Sequence, residues 1–278
     1  MTAGAAEIKA CCATAYSSPI TAWLLGTRLH PGGAALTERL IRALGVGPGD
    51  VVADVACGLG ESSLQVARST GARVIGVDLS SESIAAARQA SEDAGLAGSV
   101  EFLVGDAEAL PLEDGAVAGV LCECSLCIFP DKERAAAELA RVLKPGGRLA
   151  LSDMIADRER LPASLRTLEA WVACLADARP LRGLVELLSG AGLAVELVER
   201  HDDDLARLLD RVDARLRLAG AALAPDAEVG LVERGVELVA TARKSLQLGI
   251  LGYAVVVARR PAVGPGATTV RISASNLV

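Results

Sequence analysis

Asp54 closes the apolar run VVADV at 51–55, and Cys57-Gly58-Leu59-Gly60 follows at once, opening a helix-like segment. This is the composition a parallel strand needs where the chain must turn sharply beneath a ligand. Glycine lets the backbone approach closely, and the start of a helix offers free N–H groups. A second acid, Asp78, stands 18 positions beyond Gly60 at the end of the next apolar run. Its two oxygens suit the paired hydroxyls of a ribose, so the turn and the two acids together point to a nucleoside-bearing cofactor.

Cysteine is the other reactive type. Cys122, Cys124 and Cys127 fall within VLCECSLCIFPDK, Cys11 and Cys12 in the leading segment, Cys174 within LEAWVACLADARPL, and Cys57 in the glycine turn. Cys122 and Cys124 share a face if the strand that carries them persists, while Cys127 falls in the loop. Free cysteine is commonly a small buried apolar residue, and the alternative is a soft donor set that captures thiophilic ions against harder ones. A zinc site from Cys122, Cys124 and Cys127 lacks a nearby fourth ligand and the usual paired spacing. The two histidines are His30 and His201; His30, in LHPGG, is the better candidate for a general base.

These residues need a scaffold, and the patterning supplies one. Apolar strand candidates at 51–55, 73–77, 100–104, 117–122 and 148–152 alternate with helix-like segments near 61–70, 82–94 and 131–143, the last closed by Pro145-Gly146-Gly147. Strands without polar alternation, separated by helices, imply a parallel sheet covered on both faces. A helical stretch over about 162–191, a strand at 194–200, two amphipathic helices at about 203–219 and 226–247, and a final strand at 251–258 follow. In the first of the two helices Leu205, Leu208, Leu209, Val212 and Leu216 share a face, which reads as an ordinary packed helix with a solvated charged side.

The 278 residues are 51% hydrophobic, enough to bury a sizeable core, and carry a formal charge of −7 with no cationic run, which argues against nucleic acid as a partner. No segment is apolar and long enough to span a bilayer, and Glu7 and Lys9 interrupt the start where a secretion signal would be continuous. The expected location is the cytoplasm, with the cysteines reduced.

The sequence resembles the class I methyltransferases that use S-adenosylmethionine, on DVACGLG with Ser63 at the third glycine's place, VIGVDLS, GDAEALP and LKPGGRLALSD. The resemblance implies a doubly wound, mostly parallel, seven-stranded α/β sheet of Rossmann-like type. An N-terminal helical cap (1–45), a methyltransferase domain (46–260) with a helical insertion at 202–249 before the last strand, and a flexible tail (261–278) complete the expected organisation. It also implies cofactor contacts at Asp54, Gly58, Gly60, Asp78, Leu79, Asp106 and Ala107. Glu123 is expected at the cofactor's amino end or in the acceptor pocket.

IKACCAT, CECSLCIFPDK and EAWVACLADA are similar, more closely still, to segments of the arsenite methyltransferases; LGTRLHPGG carries no cysteine where that family usually has one. That resemblance implies Cys12, Cys124 and Cys174 as ligands of a metalloid substrate, with Cys11 as the alternative to Cys12, and a thiol reductant as co-reactant. Three thiolates would leave the arsenic lone pair free to attack the cofactor's methyl group, with no base required. Methylation of a small organic metabolite and noncatalytic binding of cofactor or soft metal are the rival readings.

Overall fold

The computed structural model describes residues 4–167, 174–222 and 229–262. Seven strands form one sheet: β1 (Val51–Val55), β2 (Arg73–Asp78), β3 (Val100–Val104), β4 (Val117–Glu123), β5 (Leu143–Ala156), β6 (Ala194–Arg200) and β7 (Leu251–Arg259). Their order is β3-β2-β1-β4-β5-β7-β6, with β7 antiparallel to both neighbours and the other pairings parallel. The central strands are buried on both faces, which is why they read as unbroken apolar runs. Separate core clusters lie on the two faces, one around Leu40, Val74 and Tyr253, the other around Val120, Leu139 and Leu188.

Helices α1 (Ala5–Tyr16), α2 (Pro19–Leu25) and α3 (Gly33–Leu44) precede the sheet. Helices α4 (Glu61–Thr70), α5 (Ser81–Asp93), α6 (Lys132–Val142) and α7 (Leu181–Gly190) flank it. The pair α8 (Asp202–Ala222) and α9 (Val229–Gln247) lies between β6 and β7, as the amphipathic pattern required. Ser80 and Asp131 cap α5 and α6 by accepting the N–H groups of Ser83 and Arg134.

Three expectations need correction. First, the stretch 162–191 is not one helix: a 3₁₀ turn at Ala163–Leu165 and α7 are separated by non-helical chain at 174–180, with Pro180 disfavouring helix at Arg179 just ahead of α7. Residues 168–173, within that stretch, lie outside the described set, as do 263–278 of the expected tail. Second, Pro145-Gly146-Gly147 does not close the helix at 143: α6 ends at Val142, the segment lies inside β5, which starts at Leu143, and antiparallel pairing with β7 carries that strand past 152 to Ala156. Third, Cys122 and Cys124 do not share a face. The strand ends at Glu123, and Cys124 takes a φ of 53°, so Cys122 packs in one core cluster and Cys124 against the other.

A buried ion pair fixes the relation between the loop after β4 and the chain at 174–180. Lys132 is 3% exposed, and its ammonium donates to the Asp177 carboxylate and to the Phe129 carbonyl at 2.9 Å. Asp177 keeps a second partner, the Arg158 guanidinium at 3.1 Å, so loss of the lysine does not strand the acid. Lys132→Met is expected to cost about 1.5 to 3 kcal/mol in a urea denaturation, the range for hydrogen bonds to charged groups and above the roughly 1 kcal/mol or less typical of a surface pair.

Candidate active site

The carboxyl ends of β1, β2 and β4 open onto one cavity, and the loop after β3 closes its side. At its base the chain leaves β1 through Ala56, at φ 58°, and reaches α4 through Gly60 at φ 81°. A Cβ on Gly60 would stand 2.7 Å from the Phe102 ring, so close packing as well as the left-handed conformation demands glycine there. The Cys57 N–H donates to the Val77 carbonyl, tying the turn to β2.

Asp78 holds this turn in shape. Its carboxylate accepts the Gly58 N–H at 2.8 Å and the Ser80 N–H at 2.9 Å, one on each oxygen, which leaves further lone pairs for the vicinal hydroxyls of a ribose. Leu79, 39% exposed, sits on the rim beside it. Asp54 lies deeper, 2% exposed, and accepts the Ser63 hydroxyl at 2.6 Å. Ser63 therefore holds the acid at the base of the turn. Burial pushes the Asp54 carboxyl up to about 7, opposed by the Ser63 bond and reinforced by the charges of Glu123 and Asp78.

On the far side, Asp106 accepts the Glu108 N–H at 2.9 Å and the Lys9 ammonium at 2.7 Å, with buried Ala107 next to it. Lys9 also reaches Glu108, so α1 is tethered across the mouth of the cavity. Glu123, at the end of β4, accepts the hydroxyls of Ser62 at 2.6 Å and Thr37 at 3.1 Å. The sequence reading gave Lys9, Ser62 and Thr37 no role; Lys9 and Ser62 lie within or beside quoted motifs without being singled out by them, and only the fold brings all three to these acids.

A second cavity, of about 290 Å³, adjoins the first. Tyr16, Leu29 and Cys124 border both. Its wall includes Leu205, Leu208, Leu209, Val212 and Leu216 of α8, so the face read as ordinary packing lines a pocket. Among the described residues the four non-glycine positions with positive φ are Leu29, Ala56, Cys124 and Cys174, and each lines one or both cavities. Such strain collects where a fold positions groups for work.

The cysteines divide accordingly. Cys12 lines the cofactor-side cavity and Cys174 the apolar one, with Cys124 at the junction. The Tyr16 hydroxyl and the Cys174 Sγ are 3.0 Å apart, the Cys174 thiol donates to the Cys124 carbonyl at 3.5 Å, and the thiols of Cys124, Cys127 and Cys174 lie close enough to shift one another's titration. Cys127, given no distinct role from sequence, is thus the companion of Cys124 and Cys174, whereas Cys11 lines neither cavity. Burial raises Cys12 to about 12, reinforced by Cys174, and raises Cys127 well above the usual thiol range. Among the described residues no three Cys, His, Asp or Glu side chains are placed to hold a metal ion. His201 is remote, bonded to Asp204 at 3.0 Å, whereas His30 is buried in the wall of the first cavity.

Residues 53–151 match the methyltransferase domain family. The methyltransferase GfsG of Streptomyces halstedii is 32% identical over 237 residues, which cover 84% of this chain and 82% of that one. The chain belongs to the class I S-adenosylmethionine-dependent methyltransferases. Within that family it is also similar to the arsenite methyltransferase of Halobacterium salinarum, 33% identical over 160 residues, covering 56% of this chain and 40% of that one. The structure of the [4+2]-cyclase SpnF superposes with a TM-score of 0.78 at 24% identity, covering 94% of this methyltransferase and 98% of that chain. Among the described residues of this methyltransferase, no helix is long and apolar enough to cross a membrane.

The donor set fits the family's cofactor: close-approach glycines at Gly58 and Gly60, a free pair of acceptors on Asp78, and Asp106 opposite them. The raised Asp54 carboxyl also makes a pH test. Its folded pKa of about 7 lies above the unfolded value near 3.8, so the folded state binds more protons between them and loses stability as pH rises from about 4 to 7. Asp54→Asn can still accept from Ser63. In the cofactor-free protein the variant is expected to show a shallower fall in melting temperature between pH 5 and pH 8 than the wild type; parallel curves would contradict the raised pKa.

Proposed function

We propose that this methyltransferase acts on a hydroxyl group of a neutral, largely apolar organic metabolite. The observation that carries the reading is the second cavity: among the described residues its lining has no charged side chain, and its polar groups are confined to Tyr16, Thr21, Cys124 and Cys174. A charged acceptor would lose its hydration there without a counter-ion, at a cost of several kcal/mol per ion. That argues against phosphorylated and zwitterionic acceptors. Support also comes from O-methyltransferase relatives, including cnsE of Penicillium expansum, 29% identical over 229 residues that cover 80% of this chain and 78% of that one.

S-adenosylmethionine, when bound, supplies an electrophilic methyl group on a sulfonium. The chain's task is to align and to exclude water. The residues bordering both cavities, Tyr16, Leu29 and Cys124, form the passage through which an acceptor oxygen meets the methyl group. The apolar wall of α8 and α9 holds the rest of the molecule. Holding two reactants in line lowers a barrier by up to about 7 to 11 kcal/mol.

The thiol group of Cys124, Cys127 and Cys174 favours a second reading, methylation of a thiol-bound metalloid such as trivalent arsenic through Cys12, Cys124 and Cys174. Against it stand the raised thiols of Cys12 and Cys124 and the lack, among described residues, of a converging three-donor set, while the Cys174 thiol, held below the usual range by its neighbours Cys124 and Cys127, favours it. A thiol reductant would be its co-reactant.

One assay separates the two. S-adenosylhomocysteine formation is followed with the reduced protein, in one arm with arsenite and glutathione, in the other with a panel of neutral hydroxylated polyketides and phenols. The expected result is turnover with a neutral acceptor that Leu209→Asp reduces at least about tenfold, since burying an unpaired carboxylate costs more than 1.4 kcal/mol. Turnover that needs arsenite and vanishes in Cys124→Ser and Cys174→Ser would reverse the choice.

A further inference from the structure

Three consecutive residues between α2 and α3, Arg28, Leu29 and His30, form part of the cofactor-side cavity wall. Two of them carry buried polar atoms with no hydrogen bond among the described residues: Arg28 Nη1 and His30 Nε2. The other Arg28 terminal nitrogen is 3.7 Å from Glu61, a distance that leaves the guanidinium's fork uncommitted. A buried, unsatisfied guanidinium nitrogen is costly, and a protein keeps one where a ligand acceptor completes it.

The histidine can be read further. His30 Nδ1 lies 2.9 Å from the Pro31 carbonyl oxygen, which can only accept, so Nδ1 carries the proton. In the neutral ring Nε2 then presents a lone pair. It faces Glu123 Oε1 at 3.6 Å, and both side chains are 5% exposed. Two acceptors face each other without a donor, and a cation bearing several N–H groups satisfies both at once.

An α-amino acid carries this pair of groups: an anionic fork that matches a guanidinium and an ammonium that matches two acceptors. We propose that Arg28, His30 and Glu123 form the receptor for the amino-acid end of the cofactor, Arg28 taking the α-carboxylate, and His30 Nε2 with Glu123 taking the α-ammonium. The proposal rests on the family's cofactor and adds Arg28 and His30 to the glycine turn and the acids already described. Leu29, between the two, has a φ of 54° and borders both cavities, so the tripeptide that grips the cofactor also forms part of the passage to the acceptor.

The test is calorimetric binding of two nucleosides that differ at that end. S-adenosyl-L-homocysteine has the amino-acid group; 5′-deoxy-5′-methylthioadenosine keeps adenine, ribose and sulfur but lacks it. Arg28→Met is expected to weaken S-adenosyl-L-homocysteine about 10- to 100-fold, the range for a charged hydrogen bond, while methylthioadenosine changes by no more than about twofold. His30→Phe is expected to show the same selective loss, and Arg28→Lys, which retains the charge without the fork, to fall between wild type and Arg28→Met. Equal loss of both ligands in Arg28→Met, not relieved in Arg28→Lys, would assign Arg28 a structural role and overturn the proposal. So would unchanged S-adenosyl-L-homocysteine affinity in both Arg28→Met and His30→Phe. A wild type that binds neither nucleoside would overturn the cofactor assignment along with it.

Discussion

Of the five carboxyl groups that line one cavity at the carboxyl edge of the sheet, Glu61 is partly exposed beside Arg28 at 3.7 Å, and holding the other four, Asp54, Asp78, Asp106 and Glu123, is the constraint on which the site is built. Like charges in a partly desolvated space repel, and each acid is accommodated by a different device. Asp78 is held by backbone N–H groups of the turns it joins, Asp54 by burial and a serine hydroxyl, Glu123 by two hydroxyls. Asp106 takes a lysine from outside the sheet. The cations lining this cavity, Lys9 and Arg28, both come from the chain ahead of β1. The N-terminal helices therefore complete the electrostatics of the site as well as covering it.

The same leading segment connects the two cavities. α1 is held to the sheet side through Lys9, while the carbonyls of Trp23 and Leu24 at the end of α2 accept the Arg215 guanidinium of α8 at 2.6 and 2.9 Å. Tyr16, at the end of α1, borders both spaces and contacts Cys174. The two cavities and the cap between them are thus mechanically continuous. The buried Lys132–Asp177 pair performs the corresponding task below, bringing Cys174 against the loop that carries Cys124 and Cys127. Charge governs one cavity, and among the described residues its absence governs the other, a division that separates an ionic site from an apolar one.

Much of this scaffold was legible in the chain because its signals are local. The strands at 51–55, 100–104 and 194–200 and the helix at 61–70 coincide with their patterns, since unbroken apolar runs and flanking glycines act over a few residues. Asp54, Asp78, Asp106 and Glu123 were legible because strand ends point to the same edge in a parallel sheet. The extent of β5 was not, because its length comes from pairing with β7, about a hundred residues away in sequence. Nor was the break in the stretch 162–191, where general apolar patterning outweighed the signal of Pro180.

The cysteines mark the limit most clearly. Their number and spacing suggested a donor set by resemblance, but which thiols meet depends on a positive φ at Cys124, the end of β4 at Glu123 and a buried ion pair at Lys132. Likewise the leucines of α8 show the same heptad-like face whether they pack tightly or line a pocket; only the placement of α9 opposite them decides it. The sequence by itself determined the sheet, the glycine turn and the acids along one edge, because strand propensity, helix starts and side-chain period are properties of neighbouring residues. The tertiary structure alone decided the partners of those acids, the grouping of the thiols and the apolar cavity, because each depends on distances between segments far apart in the chain.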